Sequence, residues 1–213
     1  MDDGEHRGGS AVERLLRDLV RRAEAEQLLD VAYRVVDGPL GPLLLAATPR
    51  GLVRVAFAVE GHEAVLQDLA DRVSPRVLHA PGRLDEAARQ LDAYLAGRRR
   101  AVDVPLDLAL ARGGFRREVL AALRRIPYGG TATYAQVAAA SGSPAAVRAV
   151  GTACARNPLP LVVPCHRVVR SDGRAGQYLG GADVKLRLLL LEGARHDRDE
   201  GGAPRGARAG GDR

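Results

Sequence analysis

The hydrophobic period turns from helical to extended at Val31 and back to helical after the third extended run, and that pattern points to a two-part α/β architecture. From Val31 the apolar residues fall in short extended runs, VAYRVV, GPLLLAATP and GLVRVAFAV. The turn signals Asp37-Gly38-Pro39 and Pro49-Arg50-Gly51 separate them, which predicts an antiparallel meander. Helical spacing follows at 63–72 and 84–95. Segment 98–114 has no sustained period and contains a proline and two adjacent glycines, so it reads as a linker. Past it the pattern is helical. Phe115, Val119, Leu123 and Ile126 line one face of a helix closed by Pro127-Tyr128-Gly129. Thr133 is placed to cap a short helix at 134–140. The turn Ser141-Gly142-Ser143-Pro144 then leads into a third helix, with Pro144 near its start and its end at about Ala155. Two short helices across a glycine-containing turn make a candidate helix-turn-helix, whose second helix can enter a DNA groove.

Upstream, Ser10 precedes Val12, Leu15, Leu16, Leu19, Val20 and Ala23, the spacing of an amphipathic helix packed on the following domain. Residues 1–9 and 194–213 are polar and glycine-rich and are expected to be disordered. The expected organisation is therefore a start at 1–9, a sheet-containing domain with its leading helix and the start of the linker at 10–108, a mainly helical domain at 109–193, and a tail.

The net charge of +6 is unevenly placed. Residues 1–108 carry −3, residues 109–193 carry +8 and the tail +1. A basic helical domain beside a slightly acidic one suits a polyanionic partner. Cys154 and Cys165 are the only cysteines, too few for a disulfide framework or a structural zinc site, so no metal or cofactor is expected. The start MDDGEHRGGS is acidic where a secretory leader is basic, and no apolar run reaches the ~18 residues of a membrane span. A cytoplasmic protein is the expectation.

The stretch most informative for chemistry is Asn157-Pro-Leu-Pro-Leu-Val-Val-Pro-Cys165-His166-Arg167. Leu159–Val163 is an apolar segment that Pro164 stops, so that Cys165 emerges at a fixed end. A free thiol near pKa ~8.5 is mostly protonated at neutral pH and needs a base or a positive field beside it. His166 adjoins it, Arg167 adds charge, and Glu192 at the end of the helix Val184–Leu191 is the carboxylate best placed to orient the base. The dipeptide taken alone reads first as a buried structural cysteine beside a core histidine.

The surrounding order changes that reading. Ile126-Pro-Tyr-Gly, Thr133-Tyr134, Arg148-Ala-Val-Gly151, Asn157-Pro158, Pro164-Cys165-His166-Arg167-Val168, Gly176-x-Tyr178-x-Gly180-Gly181 and Lys185…Leu191-Glu192 together resemble the C-terminal domain of the O6-alkylguanine-DNA alkyltransferases. Gly41-Pro-Leu-Leu-Leu-Ala-Ala…Gly51-Leu and Leu91…Tyr94…Gly97 more weakly resemble that family's N-terminal ribonuclease-H-like domain. The resemblance implies an α/β fold, an antiparallel ribonuclease-H-like sheet with helices joined to a helical helix-turn-helix domain. It also implies a monomer acting on double-stranded DNA that carries O6-alkylguanine, with O4-methylthymine as a second candidate substrate. Cys165 would take the alkyl group irreversibly, one per chain. His166, through a water, and Glu192 would activate it, and Tyr134 would protonate the leaving guanine. Arg148 would fill the stack after base flipping, with Thr133, Ala149 and Gly151 against the duplex. Asn157, Val168, Gly176, Tyr178, Gly180 and Gly181 would shape the base pocket.

The chain departs from the family pattern at Arg116, Leu120 and Leu179, where Gln, Trp and Arg or Ser are common. The rival readings are a non-catalytic module that only recognises alkylated bases, a Cys-His hydrolase unrelated to DNA, and a regulator binding undamaged DNA. A cysteine at position 165 argues against the first.

Overall fold

Side-chain alternation sets the N-terminal sheet. Strands β1 (Val31–Val36), β2 (Leu43–Thr48) and β3 (Gly51–Phe57) pair as the expected antiparallel meander. Every position of β2 is buried, because both faces of this central strand are covered. Leu43, Leu45 and Ala47 enter one apolar cluster while Leu44 and Ala46 enter another, the two-residue period of a strand. Each leucine so buried contributes roughly 1.5–3 kcal/mol. Helix α1 (His62–Arg72) closes the second face with Val65 and Leu69, and helix α2 (Asp85–Leu95) brings Leu91 and Tyr94 to the first.

The computed structural model describes residues 14–15, 18–23, 25–26 and 28–194. Ser10, Val12 and Leu16 of the expected leading helix lie outside them, as do segments 1–9 and 195–213. Residues 18–23 are helical, but the expected apolar face is only partly used. Val20 and Ala23 pack on Leu29, Ala32 and Ala80, whereas Leu15 and Leu19 are exposed.

Two features correct the sequence reading of this half. A fourth strand, β4 (Val77–His79), pairs parallel with β1 after the α1 crossover, giving the order β3-β2-β1-β4. Three residues are too few for a period to show. The linker is also held to the sheet. Leu52 N donates to Pro105 O at 2.8 Å and Asp107 N to Leu52 O at 2.8 Å, which covers the β3 edge. The buried Asp107 carboxylate accepts from Thr48 Oγ1 at 2.5 Å and Arg50 Nε at 3.0 Å.

In the second half, α3 (Gly114–Arg124) buries Val119, Leu120, Ala122 and Leu123. Strand β5 (Ala132–Thr133) pairs with β6 (Val168–Val169). Thr133 caps α4 (Tyr134–Ala140) as expected, accepting from Gln136 N while the Gln136 side chain accepts from Thr133 N. Helix α5 (Val147–Ala155) follows, beginning three residues after Pro144, which sits in the preceding turn instead of opening the helix. Helix α6 (Ala182–Leu191) ends at Glu192.

Residues 157–164, which include the apolar segment that Pro164 stops, form a buried turn. Pro158, Pro160 and Pro164 have no N–H for a ladder, and Leu161 takes φ +73°. The turn docks on the sheet through Val55 N, which donates to Pro158 O at 2.9 Å.

Candidate active site

Asn157, fully buried, ties the proline-rich turn together. Its Oδ1 accepts from Leu159 N at 3.0 Å, and its Nδ2 donates to Val163 O at 2.8 Å and to Cys165 Sγ at 3.2 Å. The same side chain therefore shapes the turn and fixes the thiol. Cys165 opens a single 3-10 turn (Cys165–Arg167) at the floor of a cavity of about 390 Å³. Gly151, Cys154 and Ala155 of α5 form one wall and Gln177, Tyr178 and Leu179 another, with Tyr134 at the start of α4. Burial pushes the Cys165 thiol up to about 11, against the hydrogen bond from Asn157 and the charge of Lys185. At neutral pH the thiol is protonated and removing its proton costs about 5 kcal/mol, so a base is required.

Behind the thiol lies a fully buried charge network. His166 Nε2 stands 3.0 Å from Glu192 Oε1, and both side chains are wholly buried. Glu192 receives four further donors. Arg167 Nη2 reaches Oε1 and Arg167 Nε reaches Oε2, each at 2.9 Å, Gly129 N donates to Oε2 at 3.1 Å, and Tyr94 Oη donates to Oε1 at 2.5 Å. Burial alone would raise this carboxyl, yet the bonds from His166, Arg167 and Tyr94 outweigh it and hold it at about 2. An ionised Glu192 makes Nε2 the protonated nitrogen of His166. Nδ1, buried and without a hydrogen-bond partner among the described residues, is left as the acceptor. Burial pushes His166 below its usual value, against the pull of Glu192, so the ring is neutral and basic at pH 7.

The Arg167 charge does not go to the thiol, as the sequence suggested. Its guanidinium is spent on Glu192 and, at 2.7 Å, on Ile126 O. The cation in the field of Cys165 is Lys185, a buried residue lowered by desolvation to about 8, whose Nζ donates to Val168 O at 2.6 Å.

The remaining predicted residues fall as follows. The Tyr178 hydroxyl is buried without a hydrogen-bond partner among the described residues, and its ring packs edge-on to His166 and Phe57. The Tyr134 phenol is raised by burial and then by Cys154 and Cys165. Gly176, at φ +69°, lies where a β-carbon would sit 3.4 Å from Arg170 and 3.9 Å from Tyr134 Oη. Val168 is buried in β6, outside the cavity lining, and Gly180 makes room for the Phe57 ring, 3.0 Å from a built β-carbon. Gly181 precedes α6 with open space around it. Arg148 and Ala149 are exposed on α5, and Arg148 shares a helix face with the cavity residues Gly151 and Ala155. The Thr133 hydroxyl accepts the α4 cap bond.

Gly129 supports the network from outside. Its φ is +75°, and a β-carbon there would lie 2.8 Å from the Glu192 carbonyl oxygen. Gly129→Ala is expected to cost more than ~1 kcal/mol through backbone strain alone, read as a lower urea midpoint.

Comparison with known proteins fits this geometry. Residues 31–108 match the family model described as the 6-O-methylguanine DNA methyltransferase ribonuclease-like domain, and residues 114–194 match the DNA binding domain of the same family. A Methanosarcina barkeri protein named methylated-DNA--protein-cysteine methyltransferase is 41% identical over 160 residues, covering 75% of this chain and 96% of its own. The chain belongs to this family. The crystal structure of the Mycobacterium tuberculosis O6-methylguanine methyltransferase superposes with a TM-score of 0.66 at 39% identity, covering 79% of this chain and 96% of that one. A second structure, Mycobacterium tuberculosis OGT in complex with DNA, gives 0.64 at 39% identity over 76% and 92% of the two chains.

Against the family pattern, Leu120 fills the core of α3 and Leu179 stands at the cavity rim. Sequence reasoning missed the ionic role of Arg167 and the contribution of Tyr94. For Tyr94 a signal existed, since a tyrosine on the apolar face of a helix needs a partner for its hydroxyl once buried.

Proposed function

We infer that this protein is a methylated-DNA--protein-cysteine methyltransferase that reverses O6-alkylguanine damage in duplex DNA by moving the alkyl group to Cys165. The observation that carries the reading is a cavity floored by a thiol held by Asn157, next to a His166–Glu192 pair whose free nitrogen can take the thiol proton. His166, through a water, draws the proton from Cys165, and the thiolate attacks the alkyl carbon. An S–C bond forms as the C–O6 bond breaks, and the departing guanine gains one proton, supplied at the cavity by the Tyr134 phenol. The thiol proton makes good that debt, so no metal or redox partner enters the balance. The thioether has no leaving group to regenerate the thiol, so each chain reacts once.

The base reaches the cavity only when flipped out of the duplex, at a cost of a few kcal/mol. Helix α5 borders the cavity and carries Arg148, which we assign to the vacated stack. Tyr178 lines the cavity that would receive the flipped base. One chain supplies every residue used, and two free buried thiols suit a reducing cytoplasm. Among the described residues no helix is long and apolar enough to cross a membrane.

Incubation with an O6-methylguanine duplex is expected to add one methyl mass to the peptide containing Cys165 and none to a Cys165→Ala variant. A folded wild-type protein that gains no adduct overturns the reading. Bound but unreacted lesion would then favour the recognition-module alternative.

A further inference from the structure

Among the described residues the N-terminal domain contributes none to the cavity wall, yet one of its side chains reaches the proton relay. Tyr94, on the last turn of α2, is 1% exposed. Its hydroxyl donates to Glu192 Oε1 at 2.5 Å and lies 3.3 Å from His166 Nε2, partners 98 and 72 residues away. Its ring is fixed edge-on against Tyr128, whose own hydroxyl donates to Leu191 O at 3.1 Å, one residue before Glu192. Packing alone would be met by phenylalanine. A hydroxyl on the same carboxylate oxygen that receives the His166 N–H has a chemical consequence, because it takes a share of the charge that Glu192 offers to histidine.

We propose that Tyr94 is a positioning residue for the transfer reaction, by which the N-terminal domain sets the orientation and basicity of the His166–Glu192 pair. The proposal rests on Cys165 being the acceptor. The groups facing His166 are Glu192 at the end of α6, Lys185 within it, Arg167 on the 3-10 turn, Tyr178 in the cavity wall and Tyr94 from α2. Of these, Glu192 favours the imidazolium, while Arg167 and Lys185 oppose it. Removing the Tyr94 hydroxyl leaves Glu192 a stronger partner for the imidazolium, so His166 holds a proton to higher pH and is lost as a base sooner on acidification.

The test is the rate of methyl transfer from an O6-methylguanine duplex as a function of pH, for wild type and Tyr94→Phe in parallel. The wild-type rate is expected to fall on the acid side only below the usual histidine value of 6.5. In Tyr94→Phe that limb is expected to move up by roughly one pH unit, the size of one hydrogen bond to a charged group. An unchanged profile overturns the proposal, as does a uniform fall in rate accompanied by a lower melting temperature, which a purely structural role would produce. If the variant does not fold, the wild type decides. The Tyr94 ring ¹³Cζ resonance should titrate with the midpoint of His166, and its failure to respond overturns the coupling. Absence of any methyl on wild-type Cys165 would instead count against the parent reading.

Discussion

Replacing Glu192 with glutamine is expected to cost the folded protein about 3–5 kcal/mol and to slow methyl transfer to Cys165 by at least ~100-fold. The substitution keeps the shape and removes the charge. Arg167 is then a buried cation with one carbonyl partner, and the amide N–H₂ of glutamine points donors at donors. His166 keeps at best a neutral amide oxygen as its acceptor and loses the charge that stabilises the imidazolium as it takes the thiol proton. The stability loss has a pH signature. Glu192 is depressed from 4.5 to about 2 on folding, so its contribution is fully present above pH 4.5 and is lost as pH falls towards 2. That depression alone is worth roughly 3 kcal/mol. Urea denaturation should show a large gap between wild type and Glu192→Gln at pH 7 that narrows below pH 4.5. A gap independent of pH, or a variant as stable as wild type, would sink the assignment of Glu192 as the hub.

How this site could be read beforehand follows from the kind of signal each residue leaves. Cys165, His166 and Asn157 stand within nine residues of one another, and the prolines around them mark an irregular, fixed backbone, so their association is written locally. Glu192 is distant, but it ends an apolar helix, and a carboxylate there must find partners. The role of Arg167 is hidden because adjacency to Cys165 says nothing about direction: on a 3-10 turn its side chain leaves towards α6 and not towards the thiol. The cation that does act on the thiol, Lys185, sits twenty residues on and is visible only as a lysine inside an apolar helix face. Tyr94 lies on a helix whose spacing is visible, while the identity of a partner 98 residues away leaves no local mark. The sheet behaved the same way: short apolar runs between turn signals mark β1 to β3, but β4 is too short to form such a run. The edge cover at Pro105 to Asp107 is a backbone contact that no side-chain pattern records.

Arg148→Ala is expected to lower methyl transfer from duplex DNA by ~10–100-fold while leaving reaction of Cys165 with free O6-benzylguanine within about twofold of wild type. Arg148 is exposed on α5 and, among the described residues, no hydrogen bond or ion pair holds its side chain, so removing it should disturb neither the fold nor the thiol network. A base in the stack must leave it to reach Cys165, and the few kcal/mol this costs has to be met by a group that occupies the gap. At about 1.4 kcal/mol per tenfold, losing one such filler accounts for one to two orders of magnitude. The nucleobase free in solution has no stack to leave, which is why the two substrates separate flipping from chemistry. Arg148→Lys should recover only part of the duplex rate, because an ammonium lacks the planar face that stacks on bases. Equal losses on both substrates would place Arg148 in the chemical step. No loss on either would assign the flipping work to another residue of α5, and Val147, exposed beside it, would be the next to replace.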